Sequence, residues 1–209
     1  MNDNQQQRQR LYLIRHGEVE GASDSKLIGR TDTRLSARGL EQSRELAQAL
    51  ASEQLAVVYS SDLERARVTA GIIAERSGLK VKENAAWREI DMGQWEDLTM
   101  TRVYDETPEL VTQLFEDPLS FQYPGGESFA AFMTRVQGAL RALLSADEEW
   151  PIALVAHGGV CRVIIGTALG MPPRNWLRLA QDYGCLNVID WYDENPMLRL
   201  LNRRPFMLA

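Results

Sequence analysis

Two apolar runs that each end in His-Gly constrain this chain more than any other feature. Leu11-Tyr12-Leu13-Ile14 leads through Arg15 to His16-Gly17, and Ile152-Ala153-Leu154-Val155-Ala156 leads to His157-Gly158. Runs of this length and composition read as buried strands, and in open α/β sheets ligands bind beyond the carboxyl ends of strands. The chain has only two histidines. Finding both at strand ends predicts one site built from two distant segments.

The rest of the pattern alternates between strand and helix. Ser36 reads as the N-cap of a helix over 36–51, with Leu40, Leu46, Ala47 and Leu50 on its apolar side. A short buried strand over 56–59 follows. Asp62 reads as the cap of a helix whose Leu63, Ala66, Ala70 and Ile73 keep helical spacing until Gly78. A third strand is expected over 79–82. Between 87 and 126, Pro108, Pro118 and Pro124 predict short helices and loops. A longer helix carries Phe129, Phe132, Val136, Leu140 and Leu143 on one face. The His157 strand leads into a helix over 160–169, and 186–191 with 198–201 reads as an antiparallel hairpin. These elements predict an α/β fold, a three-layer α/β/α sandwich with a mostly parallel central sheet and a C-terminal antiparallel hairpin. One domain is expected over 11–209, after a polar, disordered tail over 1–10.

Composition excludes several classes. A net charge of -6 lacks the basic footprint of a nucleic-acid binder. The most membrane-like stretch, 152–170, carries His157, Arg162 and adjacent glycines, so it reads as strand, turn and helix. Cys161 and Cys185 are too few for a disulfide framework and read as buried thiols in a reducing compartment. With no apolar signal core near Met1, a cytoplasmic protein is expected.

Four segments carry chemistry. In Arg15-His16-Gly17-Glu18 a neutral imidazole can attack phosphorus, and a guanidinium beside it can hold phosphate oxygens in a fork. Arg65 lies in the first turn of its helix, where a cation opposes the helix dipole unless an anion sits between them. His157-Gly158-Gly159 opens a helix with free backbone N–H groups, a ready anion site. The segment from Trp87 to Glu96 supplies carboxylates for proton transfer, and spacing does not choose among Glu89, Asp91 and Glu96. Each segment alone has an ordinary structural explanation.

Together they resemble the histidine phosphatase superfamily, most closely its α-ribazole phosphatase branch. The ordered motifs are 15–18, 29–32 with 35–39, 60–63 with Arg65 and Thr69, 89–96, 125–128 and 155–159, covering about 11–170. The resemblance implies that His16 is a nucleophile forming a phosphohistidine. Arg15, Arg65, His157 and the Gly158 amide would bind the phosphoryl oxygens, with His157 as a charged clamp. Glu89 would be the general acid and then the base for water. On that assignment Glu96→Ala is expected to retain activity where His16→Ala loses it. No metal or other cofactor is implied.

One position departs from the family. Many members carry an asparagine six residues after the nucleophile, and here that residue is Ala22; Ser23, Ser25 and Lys26 are the nearby replacements. Substrate contacts are expected from Lys26, Arg30, Trp95 and Arg102, with Tyr104, Phe121 and Tyr123 as further candidates for a cap over the leaving group. The short 91–124 segment and short end after Leu201 favour water as acceptor. The expected activity is therefore phosphomonoester hydrolysis of a small phosphorylated metabolite, with α-ribazole 5'-phosphate in view. A phosphoglycerate mutase-type transfer is the alternative, followed by a non-catalytic phospho-ligand binder. The hairpin's edge strand offers a surface for a homodimer.

Overall fold

The computed structural model of the chain describes residues 8–193 and 195–205. The first apolar run forms β1 (Arg8–Arg15), which begins three residues earlier than the sequence suggests. Arg8, Gln9 and Arg10, expected in the tail, instead pair with Tyr192, Trp191 and Asp190. Arg10 donates to the buried Asp190 carboxylate through Nε at 2.6 Å and a terminal nitrogen at 2.8 Å. That partner lies 180 residues away, so polarity hid a strand. Residues 1–7 of the expected tail lie outside the described residues.

Next along the chain come α1 (Ala37–Ala49), β2 (Val57–Ser60), α2 (Glu64–Arg76) and β3 (Val81–Glu83). The irregular region holds α3 (Met100–Glu106) and α4 (Pro108–Glu116). It is followed by α5 (Phe129–Ser145), β4 (Ile152–Ala156) and α6 (Gly158–Ala168). The chain closes on β5 (Leu186–Tyr192) and β6 (Asn195–Arg203). Among the described residues these strands form a six-stranded sheet in the order β3-β2-β4-β1-β5-β6. The first four are parallel; β5 and β6 are the antiparallel pair. This is the expected three-layer α/β/α sandwich.

Alternation along the central strands separates two cores. Leu11 and Leu13 of β1, with Ile152 and Leu154 of β4, face α5, α6 and the 87–121 segment. Tyr12 and Ile14, with Ala153 and Val155, face α1 and α2. The apolar 152–170 stretch is thus β4 and α6, and no helix among the described residues is long and apolar enough to cross a membrane.

Two helix starts differ in origin. Ser36 caps α1 as its sequence suggests, its hydroxyl accepting from the Gly39 N–H at 3.1 Å. Asp62 does not cap α2; its carboxylate takes both donors of Arg88 at 2.7 and 2.5 Å. The cap comes instead from Asp32, whose Oδ1 accepts the Glu64 N–H at 2.8 Å.

Candidate active site

The sheet register builds the site. β1 and β4 are parallel neighbours with Arg15 opposite Ala156, so His16 and His157 emerge side by side. The His16 N–H donates to the Ala156 carbonyl at 3.0 Å, and the two rings lie 5.1 Å apart, edge to face. His16 is buried, and its hydrogen bonds define its tautomer. Nδ1 donates to the Gly17 carbonyl at 2.7 Å, while Nε2 accepts from Arg65 Nε at 3.2 Å. The lone pair therefore sits on Nε2. Burial, reinforced by Arg65 and Arg15, holds the ring's pKa well below its ordinary value, so the ring is neutral at pH 7.

Arg65 is only 1 % exposed. It donates to the carbonyls of Thr31 at 2.7 Å and Gly29 at 2.5 Å, leaving its Nε aimed at His16. The loop that presents those carbonyls is organised by Glu96. Its carboxylate accepts from the N–H groups of Gly29, Arg30, Thr31 and Met92 and from the Thr31 hydroxyl, all within 3.2 Å. Burial alone would raise the Glu96 pKa, but these donors outweigh it and hold it below the usual carboxylate range.

Arg15 is fixed from the other end of the chain. It donates to the Gln181 carbonyl at 2.6 Å, and its guanidinium lies 3.8 Å over the Tyr183 ring. Gln181 is held in turn by a reciprocal amide pair with buried Asn187, at 3.1 and 2.8 Å. The Arg15 Nε and both ring nitrogens of His157 are buried without a hydrogen-bond partner. Buried polar atoms are nearly always satisfied. Such atoms on Arg15, next to His16 in the chain, and on His157, whose ring lies against it, mark a place for an anion. Burial, followed by the charges of Arg65, His16 and Arg15, pushes His157 well down. Without an anion it is therefore neutral.

The carboxylates now separate. Glu89 is buried against the start of α6, its Oε2 accepting the Gly159 N–H at 2.8 Å and its Oε1 its neighbour Ile90's N–H at 3.0 Å. Asp91 accepts from the Gly93 N–H and pairs with Arg30 at 3.4 Å. Glu96 is occupied by the 29–31 loop. Of the three, only Glu89 is tied to the His157 segment, through the Gly159 N–H.

The expected substrate contacts fare unequally. Trp95 is 3 % exposed and packs on Phe121 and Tyr123 in the core, so these aromatics are packing residues rather than a cap. Tyr104 is exposed. Arg102 pairs with Glu106 on the outer face of α3, and Lys26 is exposed beside Thr99. Neither is brought to the histidines by any contact among the described residues. Arg30 joins the Glu96 loop and bridges Asp91 and Glu127. Ala22 lies in an exposed turn with Ser23 and Asp24. Tyr183, Gln181 and Arg162 were missed. Arg162 alone carried a signal, as the only charge in an otherwise apolar helix.

Residues 11–204 match the family model for the histidine phosphatase superfamily, branch 1. The chain is 33% identical over 175 residues to a glucosyl-3-phosphoglycerate phosphatase of Mycobacterium tuberculosis, covering 80% of this chain and 78% of the relative. It is 32% identical over 195 residues to the adenosylcobalamin/α-ribazole phosphatase of Escherichia coli, covering 93% and 96%. The crystal structure of the α-ribazole phosphatase from Shigella flexneri superposes with a TM-score of 0.84 at 32% identity, over 93% of this chain and 96% of that one. The family model over nearly the whole chain, together with these relatives, shows that the chain belongs to the histidine phosphatase superfamily.

Proposed function

We propose that this phosphatase hydrolyses phosphomonoesters through a phosphohistidine on His16. The observation that carries this reading is the His16 tautomer, with Nδ1–H tied to the Gly17 carbonyl and the Nε2 lone pair turned towards Arg65. In the first step Nε2 attacks phosphorus and the ester P–O bond breaks. Glu89 gives its proton to the leaving oxygen. In the second step water attacks the phosphohistidine, Glu89 takes the water's proton, and the P–N electron pair returns to Nε2 as phosphate departs.

Arg65 Nε, the unpartnered Arg15 Nε, His157 and the Gly158 N–H supply donors for the equatorial oxygens. Phosphoryl transfer depends mainly on such positioning and charge stabilisation. A phosphate dianion reverses the electrostatics at His157, favouring the protonated ring that the arginines disfavour. Because the protein itself supplies the cations, the reaction proceeds without a metal or organic cofactor.

The substrate is a small phosphorylated metabolite in the cytoplasm. Full-length similarity to α-ribazole phosphatases supports α-ribazole 5'-phosphate as the first candidate, and similarity to glucosyl-3-phosphoglycerate phosphatase supports a phosphoglycerate ester as the second. Labelled aryl phosphate, quenched without acid, should leave label on His16 and release phosphate on standing. No labelled histidine and no turnover would sink the reading. Ranking kcat/KM across both candidates, 3-phosphoglycerate and fructose bisphosphates identifies the substrate, with chelator expected to change nothing.

A further inference from the structure

We propose that Arg135 is a positioning residue for the general acid: its guanidinium, braced by Glu127, fixes the backbone that carries Glu89 and so aligns the acid with the leaving oxygen. The proposal rests on the phosphatase reading above. Arg135 is a half-buried residue of α5, 46 positions from Glu89, and no local motif joins the two.

A guanidinium has five N–H donors, and Arg135 makes five contacts. Nη1 donates to the carbonyls of Ala86 and Arg88, both at 2.9 Å, and Nη2 reaches the Glu89 carbonyl at 3.4 Å. The other two, from Nε and Nη2, go to the two carboxylate oxygens of Glu127 at 3.1 and 2.8 Å. This bidentate pair leaves the fork one orientation. Glu127 then holds the chain on the far side of Glu89. Its N–H donates to the Asp91 carbonyl at 2.9 Å, and its Oε2 accepts the Asp91 N–H at 3.4 Å. The acid is thus bracketed by contacts at 86, 88 and 89 before its peptide bond and at 91 after it.

The bracket matters because the carboxyl has no slack. Glu89 is buried with Oε2 on the Gly159 N–H, and a Cβ on Gly159 would lie 2.2 Å from Oε1. A carboxyl packed this closely on α6 cannot absorb a backbone shift by rotating, so movement of 86–91 moves the proton. Trp87, buried in the core, anchors the same turn without Arg135. Apolar packing therefore keeps the segment in place, and the guanidinium adds its fine alignment.

Four-nitrophenyl phosphate and phenyl phosphate separate alignment of the acid from every other task of the site. Their kcat/KM reports the steps up to departure of the leaving group, and the more basic phenolate needs the acid where nitrophenolate does not. Arg135→Lys keeps the charge but loses the fork. It should lower kcat/KM on phenyl phosphate about tenfold and leave 4-nitrophenyl phosphate within about threefold. Glu127→Gln should shift the ratio of the two esters in the same direction, and it carries the test if Arg135→Lys fails to fold. Glu89→Gln should show the full leaving-group dependence. Adding Arg135→Lys to it should cost phenyl phosphate nothing more, because Arg135 acts only through that carboxyl. Equal losses on both esters, a lowered Tm with an unchanged ratio, or additive losses in the double variant would overturn the proposal. A wild-type enzyme that hydrolyses neither ester defeats the phosphatase reading and this proposal with it, whereas turnover with a uniform loss defeats this proposal alone.

Discussion

Arg65 shows how much one side chain can fix. Its terminal nitrogens are tied to the Gly29 and Thr31 carbonyls, so Nε can point only at His16. Lysine keeps the charge but has no planar fork with which to meet three acceptors. Arg65→Lys should therefore lower kcat by about 10²–10³, the usual cost of losing one preorganised transition-state donor. Measuring kcat alongside Kd for inorganic phosphate checks this, and a variant within threefold of wild type in kcat would refute it. At this scale the sequence was legible wherever chemistry sat in a short motif: His16, Arg15, Arg65, Glu89 and His157 converge as the motifs imply. Tyr183 and Gln181 were not legible because they reach Arg15 from 166 or more residues away through a ring face and a carbonyl. Neither contact leaves a local pattern.

Helices and strands were read from periodicity, and the misses share one cause. The α2 cap comes from Asp32, 32 residues before the Glu64 N–H it accepts, while Asp62 at the expected position serves Arg88. β1 extends to Arg8 because Asp190 neutralises Arg10. Local rules rank residues by type, but tertiary partners decide which of them acts. The loop over 29–31 makes the same point for function. Glu96 touches no other proposed catalytic residue, yet its five hydrogen bonds set the two carbonyls that aim Arg65. The sequence-based expectation that Glu96→Ala retains activity is thereby narrowed. That variant should lose about tenfold or more in kcat/KM, because a displaced positioning group misaligns the reacting atoms. Glu96→Gln, which keeps one acceptor oxygen, should recover part of it. Full activity in Glu96→Ala would show that the loop holds Arg65 unaided.

Across the whole molecule, the neutral, buried histidines couple the site to stability. Both ring pKa values are depressed in the folded chain, first by burial and then by the arginines. Well above pH 7 neither state binds a proton at these rings, and their contribution levels off. As pH falls below about 6.5 the unfolded chain gains two protons that the folded chain does not, so stability should fall. The limiting slope is about 1.4 kcal/mol per pH unit for each ring. Glu96 and Asp190, whose carboxyl pKa values are lowered, titrate below this window. Denaturant melts between pH 7.5 and 5.5 test this, and a flat or rising profile would count against buried neutral rings. The sheet order has a different consequence. β1 lies at the centre of the sheet, between β4 and β5, so Leu13 pairs with residues about 140 and 175 positions further on. At ordinary translation rates those partners leave the ribosome on the order of ten seconds after it. During synthesis this central strand thus emerges first and finds its neighbours last, and a chain released before β5 would leave β1 as an open edge of its sheet.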